Sequence, residues 1–133
     1  MNTRTKVMSM KRFMQALMLI IITNNAQAAL TGNQLLESCE LFLNKNAHDK
    51  TSYFLQGNCI GYLGGFSDMN LVYRALMFAG ARSGEAFYCM PKGLPIEQQA
   101  RIVVKFLKDN PPTLHLPVAV LVNKAYSNAY PCE

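Results

Sequence analysis

Four cysteines, Cys39, Cys59, Cys89 and Cys132, constrain this chain more than any other feature. They are even in number and lie 20, 30 and 43 residues apart. A zinc site takes ligands in close pairs, and these spacings offer none. No C-x-x-C is present, which argues against a thioredoxin-type redox motif. Isolated cysteines in even number read instead as two disulfides, provided the chain reaches an oxidising compartment.

The first 28 residues meet that condition. Arg4, Lys6, Lys11 and Arg12 come first, then an apolar stretch built on Leu17, Leu19, Ile20, Ile21 and Ile22, then Ala26-Gln27-Ala28. Basic, apolar and small-x-small is the order of a secretory signal, here cut after Ala28. The apolar stretch, about 11 residues, falls well short of the ~20 that span a bilayer. No cysteine follows the cut, so no lipid anchor is expected. Residues 29–133 are therefore expected to be exported, soluble and free of the membrane, with residues 1–28 as the signal peptide.

The export signal also disposes of the basic charge. It holds four of the 13 Lys and Arg and none of the eight Asp and Glu, so the mature part carries roughly +1. No run of Lys or Arg survives there, and a nucleic-acid partner loses its electrostatic support. About 105 residues remain, enough for one core and not for two.

Periodicity divides residues 29–133 into four helices. The first opens at Thr31, a candidate N-cap, with Leu35, Cys39, Phe42 and Leu43 at helical spacing. The second opens near Ser52. Leu55, Cys59, Tyr62, Phe66, Met69, Tyr73 and Leu76 follow in steps of four and three, which puts them on one helix face. Gly57, Gly61, Gly64 and Gly65 interrupt that helix. Glycine inside a helix costs ~1 kcal/mol relative to alanine, so these positions call for a neighbour packed closely against them or for a bend in the helix, and core packing is the better reading. A phosphate-binding loop is excluded, because G-x-x-x-x-G-K-[ST] is absent.

Residues 79–93 break the pattern and read as an exposed loop. The third helix starts at Pro95 and stops before Pro111-Pro112, with Ile96, Ala100, Val103, Phe106 and Leu107 as its buried stripe. The fourth places Val118, Leu121, Val122, Ala125 and Ala129 on one side. The fold class is thus all-α, a small four-helix domain stapled by two disulfides.

Helix geometry selects among the three possible pairings. In an antiparallel hairpin of the first two helices, Cys39 and Cys59 lie at similar distances from the turn and sit level, at ~1.5 Å rise per residue. Cys89 and Cys132 flank the open end of the hairpin made by the last two helices. The expected bridges are Cys39–Cys59 and Cys89–Cys132.

Catalytic equipment is not evident. With the cysteines in bridges, a nucleophile would have to be built from His48, in a polar connector, or His115, beside the prolines. Asp68 is the one acid near the glycines, and a surface role suits it better than catalysis. No catalytic, cofactor-binding or metal-ligating residue is assigned, and no cofactor is expected.

Several motifs together resemble one family. They are Gly57-x-Cys59-x-Gly61-Tyr62-Leu63-x-Gly65-Phe66-x-Asp68, Cys89-x-Pro91-x-Gly93, Val103-Val104-Lys105-Phe106-Leu107 and the closing Tyr130-Pro131-Cys132. From about Leu35 to Cys132 the chain is similar to the resistance-associated, or type VI amidase immunity, proteins of the Gram-negative periplasm. Pro95, where the family tends to carry Ser or Thr, and Tyr130, where Phe is more usual, are departures.

The resemblance implies a non-enzymatic inhibitor, often a homodimer, that binds a peptidoglycan amidase effector and blocks its cysteine-based active site. The alternative is a periplasmic stress protein or chaperone of the small disulfide-bonded helical type. For an inhibitor that plugs a groove, the loop before Cys89 is the expected protrusion. Arg82 and Glu85 would give directional contacts there, with Phe87 and Tyr88 as aromatic anchors.

Overall fold

A helix leaves its first amide groups without partners inside the helix, and the way these are satisfied locates each element. The computed structural model describes residues 29–44, 48–80 and 87–132. They form α1 (Gly32–Leu43), α2 (Lys50–Phe78), α3 (Ile96–Asp109), a 3-10 turn (Pro111–Thr113) and α4 (Val118–Ala129). The all-α, four-helix class read from periodicity is the observed one. Residues 1–28, expected to be a signal peptide, lie outside the described residues.

Thr31 caps α1 as expected, and Gln34 Oε1 accepts hydrogen bonds from the Thr31 backbone amide (2.9 Å) and hydroxyl (3.0 Å). The next two amides find partners from far along the chain. Gly32 N donates to the Leu116 carbonyl (3.3 Å) and Asn33 N to that of Leu114 (3.1 Å), while Val118 N donates back to Leu30 O (2.8 Å). The start of α1 is thereby clasped to the turn that feeds α4. Gly32 makes the clasp possible. A Cβ there would stand 2.5 Å from Leu121 Cδ1 and 3.0 Å from Leu114 O.

The second helix starts earlier than the sequence suggested. Asp49, not Ser52, is its N-cap: Asp49 Oδ1 accepts from the amides of Thr51 and Ser52, both at 3.0 Å, and Oδ2 from the Ser52 hydroxyl. These bonds, led by the one from the Ser52 side chain, hold the Asp49 carboxyl below its ordinary pKa. Ser52 is the capped residue because the carboxylate is the better acceptor for two converging amides. At the other end Gly80, with φ of 69°, takes the left-handed position that closes α2.

The core is one cluster shared by all four helices. Leu35 and Cys39 from α1 meet Cys59 and Leu63 from α2, Val103 and Leu107 from α3, and Leu121 and Val122 from α4. Cys39–Cys59 lies inside it, and Cys89–Cys132 ties the chain's end to the segment before α3. Both pairings are those that helix geometry selected. Closing 20- and 43-residue loops stabilises the fold by roughly 3 and 4 kcal/mol in the chain-entropy account.

Two expectations for α2 need correction. Its apolar seam is not uniformly buried: Cys59 is, Tyr62 and Phe66 pack against the core, but Met69 is 67% exposed. A seven-residue repeat drifts ~20° per heptad around a straight helix, so by the C-terminal half Asn70 faces inward instead. Nor does any described residue pack on the glycines. A Cβ at Gly57, Gly61, Gly64 or Gly65 would meet no atom within 4 Å.

The contrast between Gly32 and those four gives a direct test. Gly32→Ala should destabilise the fold by about 2 kcal/mol, the range for overpacking a filled site. The thermal midpoint should then drop by roughly 10 °C, at ~4–8 °C per kcal/mol for a domain of this size. An unchanged midpoint in a calorimetric scan would show that the clasp has room to spare.

Candidate partner-binding site

The segment from Phe87 to Leu94 leads into α3, and five residues outside it fix it. Cys89 is held covalently by Cys132, and its amide donates to Tyr130 O (2.9 Å). Ser127 Oγ, on α4, donates to Phe87 O (2.8 Å). Asn70 Nδ2, on α2, donates to Tyr88 O (3.2 Å), and Gln99 Nε2, on α3, donates to Leu94 O (3.0 Å).

Gln99 does more than that. Its Oε1 also accepts from Ser67 Oγ (2.8 Å) on α2 and from Tyr126 Oη (3.2 Å) on α4. One buried amide therefore joins three helices and the segment. Tyr88 Oη donates to the Phe66 carbonyl (3.2 Å), and the Tyr88 and Tyr126 rings meet at 5.1 Å in a tilted contact. Burial raises the Tyr88 hydroxyl to about 12 and pushes that of Tyr126 up as well. Desolvation disfavours the phenolate, so both stay neutral donors.

The four expected contact residues are placed differently from one another. Arg82 and Glu85 lie outside the described residues. Tyr88 is a core residue, 1% exposed. Phe87 stands out from the surface at 57% exposure and stacks on Tyr73, centroids 4.8 Å apart. Beside it runs an apolar groove of about 390 Å³ lined by Phe66, Met69, Phe87, Ala119 and Val120. An aromatic held by its neighbours at the edge of an apolar groove is the kind of feature that anchors a protein interface.

Gln99 and Asn70 escaped the sequence reading. Gln99 lies three residues after Ile96 and four before Val103, inside the apolar stripe, and that offset was the available signal. All four cysteines are in bridges, His48 and His115 are exposed, and among the described residues no three His, Cys, Asp or Glu side chains are grouped to hold a metal ion. No described helix is long and apolar enough to cross a membrane.

Comparison with known proteins supplies the deciding observation. The family model described as Rap1a immunity proteins matches residues 31–132, from the N-cap of α1 to the last cysteine. The chain belongs to the Rap1a immunity protein family. An immunity protein acts by binding a cognate effector, and the family is typically periplasmic. No curated protein and no solved structure matches the chain. The motifs that carry the resemblance now have structural meaning. In this Rap1a-family chain, Cys59 and Leu63 are core, Gly57 and Gly61 are open, and Cys89 and Cys132 fasten the segment that presents Phe87.

The node at Gln99 can be tested against its own neighbours. Gln99→Leu strands the half-buried Ser67 hydroxyl, the buried Tyr126 hydroxyl and the Leu94 carbonyl, and should cost about 3 kcal/mol or more. Tyr126→Phe removes one of those bonds and leaves no orphaned donor, so it should cost about 1 kcal/mol. Urea midpoints that shift equally for the two variants would deny Gln99 its central place.

Proposed function

We propose that this chain is exported to the periplasm of a Gram-negative cell, where it binds and inhibits a peptidoglycan amidase effector of a type VI secretion system. The family match over residues 31–132 carries the proposal. The leader of basic, apolar and small residues supports export, and two disulfides suit an oxidising compartment. Inhibition is by occupancy. The loop before Cys89 enters the amidase groove, Arg82 and Glu85 make directional contacts, Phe87 is the anchor, and Tyr88 holds Phe87 in place from the core.

Anchoring at Cys89 lowers the ordering cost of that loop on binding. The test pairs this chain with the peptidoglycan amidase effectors encoded in its own genome. Cells receiving such an amidase in the periplasm should survive when they also make this protein with residues 1–28, and should lyse when those residues are deleted. Lysis despite the exported protein, against every one of these amidases, would overturn the reading.

The homodimer belongs to the same proposal. The outward face of α2 carries Gly57, Gly61 and Gly64 flanked by Phe54 and Val72, 68% and 52% exposed. Glycines that serve no packing within the chain still lower helix stability, and close approach of a second helix is what small residues on a helix surface permit. A second copy crossing there would cover the exposed apolar side chains. The purified protein should sediment as a two-chain species and Gly61→Leu as one chain with an undiminished melting temperature. A dimer that survives Gly61→Leu would place the contact elsewhere.

A further inference from the structure

A second depression, about 670 Å³ in volume, shares Asn70 and Tyr88 with the Phe87 groove. Leu71, Ala75 and Phe78 of α2 form one wall, and Met90, Pro91 and Leu94 the other. Phe78 is 85% exposed, so this wall is apolar surface left to solvent. Two observations say what kind of group fits between the walls.

The first is charge. Arg74 and Lys92 both line the cleft, and neither lies within ion-pairing distance of a carboxylate among the described residues, where the ion pairs are Lys105–Asp109 and Lys108–Glu40. Asp68 is the one acidic residue among the described residues of the lining, which are therefore net positive. The second is Asn70, which lines the cleft and is 6% exposed. Its Nδ2 is used on the Tyr88 carbonyl, but its Oδ1 accepts no hydrogen bond from any described group. A buried acceptor left unmet is a standing cost, which a partner's donor relieves once it displaces the side chains that now cover Oδ1.

An extended acidic peptide segment meets both requirements together. Its backbone supplies N–H donors at the spacing of a chain, its Asp or Glu side chains pair with Arg74 and Lys92, and its apolar side chains occupy the space between the two walls. A free inorganic anion would leave the walls bare. We propose that this cleft is a second docking groove for the effector, taking an acidic extended segment of it while Phe87 anchors the first. The inference rests on the immunity reading. The two grooves share Asn70 and Tyr88, so the partner is read at two adjacent points whose separation the core fixes.

The experiment measures binding of the mature chain to an amidase effector of the same genome by calorimetry at low and high salt. Arg74→Glu combined with Lys92→Glu should weaken binding at least about tenfold and abolish most of its salt dependence, as expected for removal of steering charges at an interface. Arg101→Glu combined with Lys124→Glu makes the same change in net charge outside the cleft and should leave affinity within about twofold. Circular dichroism melts confirm that both variants are folded. Full affinity in the cleft variant, or an equal loss in both variants, overturns the groove while leaving the immunity function standing. Failure of the unaltered chain to bind any of these amidases overturns both.

Discussion

The arrangement of this domain depends on the side-chain amide of Gln99. A glutamine at 7% exposure is destabilising unless its donors and acceptor are used. Here the oxygen is shared by Ser67 and Tyr126 and the nitrogen is given to the Leu94 carbonyl. Apolar contacts alone would tolerate many small displacements of α2 against α3 and α4. Hydrogen bonds in a low-dielectric interior do not, because each has a narrow range of length and angle. The amide therefore sets the register of three helices, and the path of the segment from Tyr88 to Leu94 follows from it.

That path explains why an exposed aromatic is kept in one place. Phe87 has solvent on one side, yet its carbonyl is held by Ser127, its ring by Tyr73, and the next two residues by Asn70 and by Cys132. A side chain fixed in this manner gives up little freedom when a partner covers it. The opposite face of α2 is the counterpart. There a Cβ on any of the glycines would touch no described residue, and Phe54 and Val72 stand largely in solvent.

Much of this was legible in the sequence, for identifiable reasons. The stripe on α3 is clean because Glu97, Arg101, Lys105 and Lys108 mark the solvated face unambiguously. The bridges were readable because two antiparallel helices place Cys39 and Cys59 at matching heights. The face of α2 was harder, since its large residues continue around the helix after the core has ended, so Met69 and Leu76 looked the same as Tyr62. Gln99 and Asn70 were invisible to a pattern that sorts residues into apolar and polar. The N-cap of α2 was misplaced because Asp49 and Ser52 are both good caps, and their competition is settled by geometry. As for the candidate site, Phe87 could be named from sequence, but that Tyr88 turns inward depends on the Phe66 carbonyl and the Tyr126 ring, which only the fold brings near.

The disulfides have a temporal side. The bridges join the first cysteine to the second and the third to the fourth, so the two covalent rings follow one another along the chain without overlapping. When a polypeptide enters an oxidising compartment N-terminus first, Cys39 meets Cys59 as its earliest available partner, and Cys89 waits for Cys132 after the first pair has been consumed. Oxidation in order of emergence thus yields the native connectivity directly. A crossed or nested pattern would not follow from that order, whereas two consecutive rings do.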